Sequence, residues 1–298
     1  MYRFKRILAV MDLDPGDRVV AGFAGLIARL AGAEAVHFIH AHNGQQISAK
    51  VVERFPELGP GPARGERLAE AIDTHFEASP DVNTSHEVVE GVRLLAILDA
   101  VIRHDVDLVI AAADETGLGE KITRKAPCSV LIVPPEGEMG LRQILVPVDF
   151  SDHAADAVDV ACAISKAAGL GEVTCLYSYR VPRECRLTDE MFEETREILE
   201  GHAEVAFQRF IDDCELHGVR PKRMFRHGDG AGEGICAQAD ESGADLIVLG
   251  ARGRSTSAAV LLGSVAEQVI RRSRVPLLAV KRKGAGMGML KAILEHLV

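Results

Sequence analysis

Short apolar runs alternate with longer amphipathic stretches along most of this chain. Runs such as Ile7-Leu-Ala-Val-Met11 and Leu246-Ile-Val-Leu249 read as strands buried on both faces. The stretches between them carry apolar residues at helical spacing. In the first half the pattern predicts strands near 5–11, 34–41, 82–89, 107–112 and 128–133, with helices near 17–31, 62–78, 92–104 and 118–125. In the second half it predicts strands near 143–149, 172–178, 222–227, 245–250 and 276–281, with helices near 152–168, 188–217, 231–242 and 264–273. Strict strand–helix alternation implies an α/β fold with a parallel sheet covered by helices on both faces.

The two halves are copies of one plan. Arg6-Ile-Leu-Ala-Val-Met-Asp12 matches Gln143-Ile-Leu-Val-Pro-Val-Asp149 at an offset of 137, and Asp107-Leu-Val-Ile-Ala111 matches Asp245-Leu-Ile-Val-Leu249 at 138. Pro134-Pro135-Glu-Gly137 marks the linker. The expected organisation is two tandem five-stranded domains, 1–137 and 138–283, and a tail, 284–298. In the tail Leu290, Ile293, Leu294 and Leu297 form a helix stripe that needs a covering surface, on this chain or a neighbouring one.

Composition narrows the function. With 47% hydrophobic and 26% charged residues, the chain is an ordinary globular one with material for two cores. A net charge of -10 gives no global field for nucleic acid or anionic membrane. The apolar run after Arg3, Lys5 and Arg6 ends at Asp12, too short for a secretory signal, and no run reaches transmembrane length. Six cysteines without a C-x-x-C pair fit a reduced, cytoplasmic protein.

The chemistry concentrates after the fourth strand of the second half. Gly250-Ala-Arg-Gly253 and, nine residues on, Gly263-Ser264 form a G-x2-G-x9-G-S frame between that strand and a helix. Free N–H groups, a favourable dipole and glycines suit a phosphate at such a place, and Arg252 and Arg254 add positive charge. The plainer alternative is a surface loop with Ser264 as an ordinary N-cap.

This frame resembles that of the universal stress protein family, whose ATP-binding members carry G-x2-G-x9-G-S/T here; the resemblance extends from Gln143 to Lys281. It implies an adenine nucleotide alpha hydrolase-like, Rossmann-like fold that binds ATP, or AMP or ADP, in the second domain, with Mg2+ beside a triphosphate. Pro147 and Asp149 stand where the family meets the adenine and ribose end, and Leu249 and Gly250 end the adjoining strand. Gly253, Gly263, Ser264 and the N–H of Val265 would hold phosphates, with Arg252 beside them. Ser178 replaces a family valine against the base, which makes that pocket less apolar. No base is placed for catalysis, so the implied role is a nucleotide-binding stress regulator. The alternatives are a slow ATPase or autophosphorylating enzyme and a scaffold that binds no nucleotide. Family members dimerise through edge strands. Val130–Val133 and Leu277–Val280 are therefore expected to pair, and a homodimer of tandem chains is expected.

The first half lacks this loop. Its last helix matches the second at an offset of 147, not 138, so nine residues are missing. Ala112 stands for Gly250, and Asp114 stands near Arg252, where a carboxylate opposes a triphosphate. Of the remaining candidates, Ser255, Thr256 and Ser257 are polar filler or phosphate contacts. Gly228-Asp-Gly-Ala-Gly-Glu-Gly234 reads as a close strand-to-helix turn. His37, His40 and His42, with His86 or Cys128, offer metal donors without fixed spacing, so partly buried or capping roles are expected.

Overall fold

The computed structural model describes residues 3–44, 49–55, 61–77, 80–137, 139–253, 262–284 and 287. Contacts divide the chain into two units, Met1–Met139 with Arg282–Val298, and Gly140–Lys281. Arg282 to Gly284 join the first unit through Lys283, whose Nζ meets Asp107 Oδ1 at 2.6 Å, and through Gly284, whose N–H donates to the Pro127 carbonyl at 2.8 Å.

The first unit runs β1 (Arg6–Val10), α1 (Asp17–Ala31), β2 (Ala35–His42), α2 (Ala49–Arg54), α3 (Gly61–His75), β3 (Asn83–Glu90), α4 (Arg93–Arg103), β4 (Leu108–Ala112), α5 (Leu118–Lys125) and β5 (Ser129–Val133). Its strands are parallel, in the order β3-β2-β1-β4-β5. The second unit runs β6 (Ile144–Pro147), α6 (Asp152–Ala167), β7 (Glu172–Tyr179), α7 (Asp189–Asp212), β8 (Arg220–His227), α8 (Ala231–Ser242), β9 (Leu246–Gly250), α9 (Ser264–Arg272) and β10 (Leu277–Val280). Its order repeats the first, β8-β7-β6-β9-β10. In both, the first strand's chain leaves to one side and returns on the other, so the sheet has a switch point there.

The repeated sequence produces repeated fastenings. Asp107 accepts the backbone N–H groups of Lys5 and Arg6 at 2.9 and 2.8 Å, and Asp245 accepts those of Arg142 and Gln143 at 2.8 and 3.0 Å. Each aspartate thus ties the start of one central strand to its neighbour. Each unit has its own core: Leu8, Val109, Ile122 and Val130 in the first, Leu145, Ile247, Val269 and Leu277 in the second.

Three local features depart from the sequence pattern. Helix α2 and a 3-10 turn at Arg183–Arg186 are too short to show a period. Helix α7 stops at Asp212, short of the expected 217, and the turn that follows carries left-handed backbone at His217 and Gly218, with φ of 54° and 82°. Strand β8 accordingly begins at Arg220, two residues earlier than expected. The tail stripe Leu290, Ile293, Leu294 and Leu297 lies outside the described residues.

Candidate functional site

The switch point of the second unit opens into a cleft of about 260 Å3 at the carboxyl ends of β6, β7 and β9. All ten residues singled out from the sequence line it: Pro147, Asp149, Ser178, Leu249, Gly250, Arg252, Gly253, Gly263, Ser264 and Val265. Val148, Leu176 and Tyr177 complete the strand side, and Ala154 and Ala266 the helix side. Ala231 and Ile235 bring in the first turn of α8. No sequence signal marked that helix as cleft wall beyond the glycine-rich turn before it.

Each wall has a local cause. Asp149 Oδ1 accepts from both the N–H and the hydroxyl of Ser151, at 3.1 and 2.6 Å, and Ser151 Oγ caps α6 by accepting the Ala154 N–H at 3.3 Å. Phe150 between them holds a left-handed φ of 61° and stacks on Tyr177 at 4.6 Å. The chain therefore turns sharply after β6 and leaves Asp149 on the rim. A Cβ on Gly253 would lie 2.9 Å from Asp149 Oδ2, so the loop after β9 and the Asp149 carboxylate are neighbours.

The loop after β9 has a closed neck. Ala251 and Leu262 are buried at its two feet, and the Gly263 N–H donates to the Ala251 carbonyl at 2.9 Å. Ser255, Thr256, Ser257 and Arg254, which lie between the feet, fall outside the described residues. Helix α9 has Gly263 as its N-cap, and Ser264 is its first residue, so Ser264 is not the ordinary N-cap considered above. The first helical bond runs from the Glu267 N–H to the Gly263 carbonyl. The N–H groups of Ser264, Val265 and Ala266 therefore face the cleft end without helical acceptors.

The three motif glycines differ. At Gly250 a Cβ would sit 2.6 Å from the His153 carbonyl oxygen, so glycine there serves the packing of β9 on α6. Gly263 has φ −67° and ψ 145°, open to any residue, and a Cβ would meet Arg252 Cα and Gly253 N at an ordinary 3.5 Å. Neither strain nor crowding among the described residues requires glycine at 263. A side chain there would instead fill the space beside the free amides.

Among the described residues one polar group of the cleft lacks a partner: Ser178 Oγ is buried with no hydrogen bond. Such a hydroxyl is costly to leave unpaired.

The matching place in the first unit holds an ion pair of its own. Arg93, which opens α4 as Ala231 opens α8, forms an ion pair with Asp12, the counterpart of Asp149. Burial raises the Asp12 pKa, with Arg93 opposing and Asp14 and Asp114 adding to the rise. Asp114 Oδ1 accepts the N–H of Leu118, the first residue of α5, at 2.9 Å. Asp17 accepts the N–H groups of Asp12 and Leu13 at 2.8 and 2.9 Å, and burial pushes it up to about 6.

Of the histidine candidates, His40 and His42 stack on each other at 5.7 Å, and His37 lies apart from them. His40 is buried and pairs with the Met11 carbonyl at 2.9 Å, His42 faces Arg64, and His37 stacks on His104. Cys128 lies in the core. Among the described residues, the cluster with metal-donor spacing is a different one, Asp159, Glu215 and His217. No described helix is long and apolar enough to cross a membrane.

A doubly wound α/β unit with its cleft at the switch point and a glycine loop feeding a helix defines a ligand-binding class of fold. The family model of the universal stress protein family matches residues 3–134 and again 140–281, so this chain is a tandem member of that family. It is 43% identical over 160 residues to Universal stress protein MJ0577 of Methanocaldococcus jannaschii, covering 48% of this chain and 97% of that protein. It is 33% identical over 147 residues to Universal stress protein MJ0531 of the same organism, covering 49% and 85%. The crystal structure of PA1789 from Pseudomonas aeruginosa matches with a TM-score of 0.67 over 98% of both chains at 18% identity, a likeness of fold.

Proposed function

We propose that the second domain binds an adenine nucleotide, ATP or its AMP or ADP relatives, and acts as a nucleotide-dependent regulator. The observation that carries this reading is the N-terminus of α9. Three amides there lack helical acceptors, and nothing among the described residues requires glycine at the adjoining position 263. In this arrangement Gly253, Gly263, Ser264 and the Val265 N–H hold phosphate oxygens, and Arg252 supplies the cation. Pro147 and Asp149 face the ribose end, and the orphan Ser178 hydroxyl meets a polar edge of the base. Leu249 and Gly250 form the floor. Mg2+ accompanies a triphosphate through the phosphate oxygens. The family's G-x2-G-x9-G-S/T frame supports the same reading.

The first domain, by this account, binds no nucleotide, because Arg93, Asp12 and Asp114 fill its cleft. Calorimetric titration of the full chain with ATP-Mg tests both statements, with one nucleotide per chain expected. A stoichiometry near two sinks the reading of the first cleft, and no heat or binding of ATP, ADP or AMP sinks the proposal. The hydroxyls that would support an ATPase lie outside the described residues, and no observation favours that reading. We also propose the homodimer, which light scattering on the full chain checks.

A further inference from the structure

Helix α7, the longest in the second unit, carries an apolar row that its own fold does not use. Met191, Ile198 and Val205 are exposed at 41%, 53% and 54%, and Leu187 just before the helix at 78%. Met191, Ile198 and Val205 recur every seventh residue, so they form one row about 21 Å long. A different set, Ala203, Phe207 and Ile211, is buried against the domain.

Gly201 lies within this row, three residues after Ile198 and four before Val205. A glycine inside a helix weakens it. Here a Cβ would meet nothing within 4 Å, and the backbone is not left-handed, so neither packing nor conformation calls for glycine. What glycine leaves is a gap between two exposed apolar side chains, the shape that admits a knob from a second helix.

The surrounding charges select the occupant. Glu190, Glu194 and Glu197 flank the row, all exposed and without an ion-pair partner among the described residues. Neighbouring glutamates are already engaged: Glu193 with Arg196, and Glu204 with Arg223. A second copy of this face would set glutamate against glutamate, and an anionic membrane would be repelled.

We propose that the outer face of α7 is a docking site for a basic amphipathic helix of a partner protein. Apolar side chains of that helix cover Met191, Ile198 and Val205, its closest approach is at Gly201, and its lysines or arginines meet Glu190, Glu194 and Glu197. This site is separate from the nucleotide cleft and does not depend on it.

The probe is a labelled helical peptide of about 20 residues, with leucines at heptad spacing and flanking lysines. A peptide of identical composition in scrambled order is the control. Fluorescence anisotropy with the full chain should show saturable binding of the patterned peptide that weakens with salt, and at least about tenfold weaker binding of the scrambled one. Gly201→Gln fills the gap while favouring the helix, so it should keep or raise the melting temperature and lose peptide binding. Ile198→Glu should also lose it. Equal binding of both peptides, or unchanged binding by Gly201→Gln and Ile198→Glu, overturns the proposal. So does self-association of the chain that Ile198→Glu abolishes.

Discussion

Replacing Gly263 separates ligand binding from folding more cleanly than any other change in the cleft. In Gly263→Ala the new Cβ meets Arg252 Cα and Gly253 N at 3.5 Å, an ordinary contact, on a backbone that suits alanine. Exchanging an N-cap glycine for alanine costs the free protein at most about 1 kcal/mol. A phosphate oxygen must come within about 2.9 Å of an N–H, and a methyl group beside Gly253 N competes for that place. Losing two or so charge-assisted bonds amounts to about 2–4 kcal/mol, or about 30- to 1000-fold in affinity. Valine should lie at the upper end. Calorimetry with ATP-Mg, on variants whose melting temperatures have been measured, reads both quantities. Gly250→Ala is the contrast: its Cβ would lie 2.6 Å from the His153 carbonyl oxygen, so the fold itself should lose stability. Wild-type affinity in Gly263→Val would move the phosphates away from α9.

Other changes probe separate parts of the reading. Ser178→Ala removes the buried hydroxyl without a partner, so the free protein should gain up to about 1 kcal/mol while nucleotide binding weakens by a similar amount; unchanged affinity would mean that the base does not use this hydroxyl. In the first unit, Asp17 keeps its proton to about pH 6 when folded and to about 3.8 when unfolded. The folded state therefore binds more protons between those values, and stability should fall by up to about 3 kcal/mol as pH rises through that window. Asp17→Asn should flatten this slope in denaturant titrations, and parallel curves for the two proteins would refute the assignment. Arg93→Ala should leave Asp12 buried without its cation and destabilise the first unit while leaving ATP affinity unchanged; a matching loss of affinity would place the nucleotide in the first unit after all.

Most of the fold was legible because its signals are local and repeated. The apolar runs at Leu246–Leu249 and Leu277–Val280 are strands in the structure, and the offset between halves carried the same plan to both. The misread boundary of α7 precedes a turn with left-handed backbone at His217, which a histidine does not announce. In the cleft, the residues found from the sequence sit at strand ends or in the glycine frame, where spacing carries information. Ile235 could not be found that way, because an isoleucine on a helix looks like core until the sheet order brings α8 alongside β7, and Ala231 lay within Gly228–Gly234, which read only as a turn. The pairing of Arg93 with Asp12 joins residues 81 apart, and no motif links them. The loop deletion marked the first half as different, and the Arg93–Asp12 pair and the bond from the Leu118 N–H to Asp114 are differences it did not announce.

Those contacts have a consequence for how the chain would respond to a cell's energy state. At α5 a carboxylate of the protein, Asp114, accepts the N–H of the first helical residue, whose counterpart at α9 would, under the proposed function, meet a solute's phosphate. The first domain thus carries its own anion covalently, at a concentration that never changes. Under the proposed function, rising nucleotide shifts the melting of the second domain alone. The first stays put as a fixed reference within the same molecule.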